Sequence, residues 1–561
     1  MLHLSDLPSD IYVTILSHVP PIDRQRTVLN LSRALPRSPV PTHQIFEHIV
    51  IHTPPAVLAL YQIFLKRKQQ DKDLYNPGSQ VRSLSIQTWT ADADLVANLL
   101  GLLPNVPILQ LCVGTTYGPE HLNDIFVKPR MDLKSLQLRF RPYVKQATYL
   151  PFLKGAYFDS SIVQLSQWPA TAQSHLETLS ITQDTISYKA HIQFAQPLAF
   201  FSFKVLTELA TSPIGQHITA LRISVPAKPV APYLSTPNQQ SFPRLQFLDI
   251  STTSLPAPSA EQAIGRLLSQ LITLRHVVID RNAGPMPRDT PGWTSFGRAC
   301  ALAGVARAKE KEKEIQEWFE ARRRREAVAQ AANPEEAAAA ERAVRPAPAP
   351  VSVPARPRKG RKGLATATIS LRDPQPQRAS GSTSTRPAQV QQQEEDTSDV
   401  RKIRIVPSPP TLRTFSTAFA GPSNPTPQQR TDWTNAFTRG KRMQDSATVR
   451  IMRFIDTDHE LDIEAEEDEV LKGVADVAVV GHWIGWEPTI PIVCFGSERS
   501  AVLGDAGDDN DDGDDATFPQ TGAGVGPSSV GGLWEEGFVE WGPGHVDGCG
   551  HNIGRDIFER L

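Results

Sequence analysis

Cysteine is scarce in this chain, with four residues, at 112, 300, 494 and 549, among 561. So few, so widely scattered, they exclude a disulfide scaffold and point to a reducing compartment. Long hydrophobic runs are missing as well. The best candidate, Leu95–Val113, is interrupted by Asn98, Pro104, Asn105 and Pro107, and falls short of the roughly eighteen uninterrupted apolar residues of a membrane span. Neither sign of charge is in excess: the net charge is −2 and the pI near 6.7, which argues against an overall nucleic-acid-binding footprint and makes nucleic acid and membrane poor expectations as partners. The first residues carry Asp6 and Asp10 where a secretory signal would carry basic residues. No phosphate-binding glycine loop, nucleophile elbow or helix with paired metal ligands occurs. The sequence therefore predicts no enzyme, no catalytic residue, no cofactor and no metal, in the cytoplasm or the nucleus.

What is present is a recurring strand signature. Hexads with apolar residues at positions one, four and six occur at Val81/Leu84/Ile86, Val106/Leu109/Leu111, Leu133/Leu136/Leu138, Leu176/Leu179/Ile181, Ile218/Leu221/Ile223, Leu245/Leu248/Ile250 and Leu274/Val277/Ile279. Their first positions lie 25, 27, 43, 42, 27 and 29 residues apart. Residues between the apolar positions are mostly polar, so one face of each strand is open, unlike a doubly wound sheet covered on both sides. The intervening segments cover the other face. Val96, Leu99, Leu100 and Leu103 recur at helical spacing within Asp92–Leu103, and Ser259–Leu271 opens with a Ser-x-x-Gln capping box before Ile264, Leu267, Leu268 and Leu271.

The hexads resemble those of the leucine-rich-repeat family, whose parallel strands line a concave surface. The position at which that family carries Asn is Trp89, Gly114, Arg141, Asp184, Pro226 and Thr253 in six units, and Asn282 in the last. On this resemblance Gln110, Gln137, Arg139, Arg222, Asp249 and His276 face the open surface and would bind a protein target. Ser180, Thr182 and Asp280, with Ile108 and Phe247 as apolar points, would complete that lining. Taken one at a time, side chains of this kind are more often ordinary solvated strand residues than binding residues.

Upstream, Pro8 and Asp10 suit the first turn of a helix, and Ile11, Ile15, Leu16 and Val19 form one apolar face. Pro20-Pro21 ends it, Asp23 caps the next helix, and Val28, Leu31 and Leu35 recur at helical steps. Leu7-Pro8, Ile15-Leu16, Asp23 and Leu31-Ser32-Arg33 resemble an F-box of about fifty residues. That resemblance implies docking to a Skp-type adaptor held by a cullin complex, with Leu4, Leu7, Pro8, Ile11 and Leu16 as the docking residues. An F-box followed by leucine-rich repeats, with linkers of this kind, resembles the ubiquitin-ligase substrate receptors of filamentous fungi. A second reading makes the hairpin an end cap of a scaffold outside ubiquitination. A third makes the chain a small-molecule or peptide sensor in which the C-terminal aromatic element folds back on the repeats.

The expected organisation is α/β: an F-box-like helical unit over 1–50, an irregular leucine-rich-repeat solenoid over 51–300, a charged helix over 301–332, a disordered linker over 333–447, and a small C-terminal element over 448–561. Alternating Lys and Glu around Ile315, Trp318 and Phe319 predict the charged helix. The linker is poor in apolar residues and carries the basic cluster Arg356–Lys362, a candidate nuclear import signal. In the last segment Val474–Val480 and Ile490–Phe495 predict buried strands, and Leu533–Trp541 adds aromatics. Asp508–Gly513 matches part of a calcium loop, but Pro519 stands at the position needing a bidentate Glu, so an acidic solvated loop is expected. His545, Cys549 and His551 lie close together, but their spacing fits no standard zinc pattern. An inert glycine-rich loop is the expectation there.

Overall fold

The computed structural model describes residues 4, 7–70, 77–114, 116–140, 158–169, 176–184, 200, 202–226, 228–235, 241–255, 260–281, 290–332, 404–418, 426–455, 490–495 and 545–559. The chain falls into two compact units, Met1–Lys311 with Ile405–Leu561, and Glu312–Arg404.

The first unit is built on one parallel sheet of ten strands whose spatial order is their order in the chain. They are β1 (His48–Ile51), β2 (Ser83–Ile86), β3 (Ile108–Val113), β4 (Ser135–Phe140), β5 (Thr178–Gln183), β6 (Ala220–Ser224), β7 (Phe247–Asp249), β8 (His276–Val278), β9 (Thr414–Ser416) and β10 (Ile492–Cys494). The seven hexads stand in register, so that Leu84, Leu109, Leu136, Leu179, Leu221, Leu248 and Val277 form one continuous row that Phe415 and Val493 extend. Every apolar residue of the seven triplets is at most 1% exposed. Period-two alternation puts positions four and six on one face, and position one joins the same core from just ahead of each strand; a slip of one residue would turn the alternating positions outward.

Helices cover that buried face. They include α3 (Pro54–Gln70), α4 (Ala93–Leu102), α5 (Pro119–Phe126), α6 (Asp159–Ser166), α7 (Lys204–Thr211), α8 (Ala260–Gln270) and α9 (Thr290–Ala301), preceded by the hairpin α1 (Ser9–Ser17) and α2 (Pro21–Ala34). Asp92 caps α4 by accepting from the Leu95 amide at 3.1 Å, in the manner expected of an N-cap. Neighbouring units also cap one another. The buried Arg130 guanidinium donates to the Leu100, Leu103 and Ile125 carbonyls at 3.2, 3.0 and 3.4 Å, and the Trp168 indole donates to the Phe126 carbonyl at 2.7 Å. These bonds satisfy carbonyls that end-of-helix geometry leaves without partners.

Three expectations need correction. The sheet begins at β1, inside the segment assigned to the helical unit. Within the expected linker, residues 404–418 supply β9, and α11 (Pro427–Ile455) packs lengthwise on α9. The reason is local: Phe415 and Phe437 stack on Trp433 at 5.7 and 5.3 Å, both at 14°, giving this stretch the apolar payload its average composition hides. Finally, the C-terminal element is not separate, because β10 and α12 (Gly550–Phe558) belong to the first unit.

Helix α10 (Ala303–Ala332) realises the expected charged helix. In the second unit its exposed face carries the Lys313–Glu317 and Glu320–Arg324 pairs at 3.5 and 3.6 Å, Arg404 reaches Glu312 at 3.2 Å, and Trp318 meets Phe319 edge-on at 4.9 Å. Among the described residues no helix is long and apolar enough to cross a membrane. Val474–Val480, Leu533–Trp541, Asp508–Gly513 and Arg356–Lys362 lie outside the described residues.

Candidate functional site

Two surfaces carry the candidate residues. The first is the outer face of the α1–α2 hairpin. Its own small core consists of Tyr12, Leu16, Val28 and Val40, with Leu7, Val19, Leu31, Leu35 and Ile45 packed around it. Leu16 is therefore not a docking residue, since it is fully buried inside the hairpin, and Leu7 is half-buried on the same core. The helical turn explains the difference: Tyr12, Leu16 and Val19 share the inward stripe, which leaves Ile11 and Ile15 one step round the helix. Ile11 and Ile15 are each 44% exposed and Leu4 51%. Pro8 is exposed as the N-cap residue of α1, and the Tyr12 hydroxyl donates to the Leu4 carbonyl, fixing the backbone that displays Leu4. Ile15, and the 37% exposed Leu29 on α2, were not among the expected docking residues. The i, i+4 relation of Ile11 and Ile15 was the available signal.

The second surface is the uncovered face of the sheet. Its central row runs Ser85, Gln110, Gln137, Ser180, Arg222, Asp249, Val278, Ser416 and Cys494. Gln110 accepts from the Ser85 hydroxyl at 2.8 Å. Arg139 pairs with Asp184 at 2.8 Å and lies 5.4 Å over Trp89. Arg222 pairs with Asp249 at 2.8 Å, and Asp249 also accepts from the Ser251 amide and hydroxyl at 2.9 and 2.6 Å. The Nδ1 of His276 is hydrogen bonded to the Thr414 hydroxyl at 3.0 Å. Burial, with Arg413 and Arg275 nearby, pushes the His276 imidazole down to about 4. All six expected target-binding residues share this face, but they are not uniformly solvated.

The reason is α12, which lies on that face. Gln137 donates to the Phe558 carbonyl at 2.7 Å, the Arg222 guanidinium sits 4.0 Å over the Phe558 ring, and Phe558 meets Phe247 edge-on at 5.7 Å. Two glycines allow the approach. A Cβ on Gly554 would stand 2.7 Å from the Phe247 ring, and one on Gly550 would stand 2.8 Å from the Ser416 hydroxyl, which accepts from the Gly550 amide at 2.9 Å. Gly550–Phe558 thus lies across the sheet from β4 to β9, while the aromatic stretch Leu533–Trp541 lies outside the described residues.

At the end of the central row, α12 brings a Cys/His cluster together. Cys494 ends β10, Cys549 is the N-cap of α12, His551 lies in its first turn and His545 precedes it. The Cys494 and Cys549 sulfurs lie 3.4 and 3.9 Å from His545 Nδ1, and Cys549 Sγ lies 3.8 Å from His551 Nδ1. On the far side of its ring, His551 Nε2 is 2.8 Å from Asp280 Oδ1, an oxygen that also accepts from the Ala418 amide at 2.7 Å. Contact with Cys494, reinforced by His551, pulls the Cys549 thiol well below its ordinary range against the effect of burial. Burial opposes the charged form of His551, but Asp280 and Cys549 outweigh it and raise its proton affinity. The inert glycine-rich loop expected here is instead a buried corner of four converging donors. Cys494 was missed because it comes from a strand 51 residues from His545, and only the fold brings it near.

A scan against protein-family models finds no match to this chain, and a search of curated proteins finds none either.

Proposed function

We propose that the chain is a non-catalytic substrate receptor of a Skp-cullin-F-box type ubiquitin ligase, with an F-box-like hairpin recruiting a Skp-type adaptor and a leucine-rich-repeat-type solenoid presenting a protein target. The observation that carries this reading is the exposure of Ile11 and Ile15, one turn apart on α1, and of Leu4 just ahead of it, on a hairpin whose own core is complete without them. A few large apolar side chains grouped this way are what partner interfaces bury as anchors. An end cap of the repeat array would instead turn a polar outer face to solvent.

The mechanism is proximity. A target held on the sheet has its lysines kept near the transfer enzyme, which raises their effective concentration without any chemistry from the receptor itself. Because α12 covers the face from Gln137 of β4 to β9, the target surface in this reading centres on Gln110 of β3, Arg139 near the end of β4, and Trp89 just past β2. Arg139 suits such a contact, since guanidinium and aromatic groups dominate binding energies at interfaces.

Co-expression of the full chain with a Skp-type adaptor tests the reading. The wild type is expected to co-elute with the adaptor in equal amounts, and the Ile11→Asp, Ile15→Asp double variant to elute alone with an unchanged circular dichroism spectrum. A folded wild type that never retains the adaptor would overturn the proposal.

A further inference from the structure

The Cys/His corner carries a further assignment. We propose that Cys494, His545, Cys549 and His551 form a structural zinc site that fastens helix α12 across the open face of the sheet.

Geometry carries the argument. In a tetrahedral zinc site with bonds of about 2.3 Å to sulfur and about 2.1 Å to nitrogen, each sulfur–nitrogen edge is about 3.6 Å long and a sulfur–sulfur edge about 3.8 Å. The three sulfur–nitrogen separations here are 3.4, 3.8 and 3.9 Å, and the four donor atoms all lie within 4.8 Å of one another. Three edges of the expected tetrahedron are thus matched to within about 0.3 Å, and the other three fall inside the 4.8 Å that bounds the whole set. Thiol and imidazole pairs that merely pack together have no reason to converge on a common point.

The donor chemistry agrees. Two cysteine sulfurs and two imidazole nitrogens are the ligand set of closed structural zinc sites, and soft sulfur donors disfavour magnesium and calcium. Two thiolates and two neutral imidazoles also balance the two positive charges of the ion, so a dry corner can accept it. Three of the donors are 0–2% exposed, and no position is left open for a substrate, which makes the role structural.

The surroundings fit as well. Asp280 accepts from His551 Nε2 at 2.8 Å, which leaves the Nδ1 lone pair facing Cys549 and reproduces the carboxylate–histidine–metal arrangement that orients ligating imidazoles. The Ala418 amide, donating to Asp280 at 2.7 Å, fixes that carboxylate in turn. The consequence is topological. Three donors come from 545–551 and one from β10, so the ion would tie the helix that covers Gln137 and Arg222 to the end strand of the sheet.

The test is the metal content and metal spectroscopy of the full chain. Purified without chelator, the protein is expected to hold one zinc per chain, and cobalt substitution is expected to give the intense visible bands of a tetrahedral site with sulfur-to-cobalt charge transfer. Cys549→Ser should remove the charge-transfer intensity. Asp280→Asn, which keeps all four donors, should retain the bands but weaken metal retention 10- to 100-fold. A folded wild type that neither contains zinc nor binds zinc or cobalt when titrated would overturn the proposal. A Cys494–Cys549 disulfide, found by mass spectrometry in protein kept under reducing conditions, would overturn it equally.

Discussion

Residue by residue, the polar groups of this molecule divide into those that hold the fold and those that remain available to a partner. Cys112 and Cys300 belong with the first: burial pushes both thiols up, Cys112 to about 11, which favours the protonated thiol, whereas the Cys549 thiol is pulled down. His276 sets a pH dependence. Its folded-state value near 4 lies below the unfolded value of about 6.5. The unfolded chain therefore takes up a proton first, and stability falls as pH drops from about 6.5 towards 4. Urea midpoints at pH 7 and pH 5 should converge for His276→Asn relative to the wild type, and an unchanged gap would contradict the assignment. Arg130 makes a second test. Replacing it with Met strips the caps from α4 and α5, and chemical denaturation should show a loss of about 2 kcal/mol or more.

At the scale of elements, what could be read in the sequence was whatever a local period encodes. The seven hexads and the helices at 93–102 and 260–270 came from residues that pack on a shared stripe, the charged helix from opposite charges at helical spacing, and the register of the sheet follows from the same leucines. Strand β10 falls inside Ile490–Phe495, where the sequence predicts a buried strand, whereas β9 was not legible because it lies in a polar, proline-rich stretch and only the neighbours it pairs with make it a strand. The residues of α11 are mostly polar, and its partner α9 was not visible as a stripe. Their fit rests on glycines: a Cβ on Gly440 would stand 2.8 Å from the Ala301 Cβ, and one on Gly297 would strike the Trp433 carbonyl. Gly440→Ala is accordingly expected to destabilise the protein by about 1–3 kcal/mol, the cost of overpacking a tight helix contact, measurable as a lowered thermal midpoint. No loss would mean that the two helices can part without penalty.

At the scale of the whole molecule, the sheet grows by adding one strand at a time in chain order, and each apolar layer is closed only by its neighbours. Truncating a core leucine in the middle of the row, such as Leu221→Ala, should cost about 2–5 kcal/mol and lower the urea midpoint more than a substitution at either end, since an interior unit loses two interfaces. The corner of Cys494, His545, Cys549 and His551 was legible only in part: His545, Cys549 and His551 stand together in the sequence, but at a spacing that fits no standard zinc pattern, and Cys494 joins them only because β10 lies at the edge of the sheet and α12 doubles back across it. The exposed apolar side chains of the hairpin were half legible. The sequence placed Leu4 and Ile11 among them, but it could not separate Ile15 from Leu16, because neighbouring apolar residues on a helix look alike until the inward direction is known.

Hydrogen–deuterium exchange of the full chain, with and without a Skp-type adaptor, tests the receptor reading most directly. The account predicts slowed exchange in Ser9–Ser17 when the adaptor is added, with β2 to β8 unchanged. Unaltered exchange in α1 at saturating adaptor, or protection confined to the open face of the sheet, would contradict it.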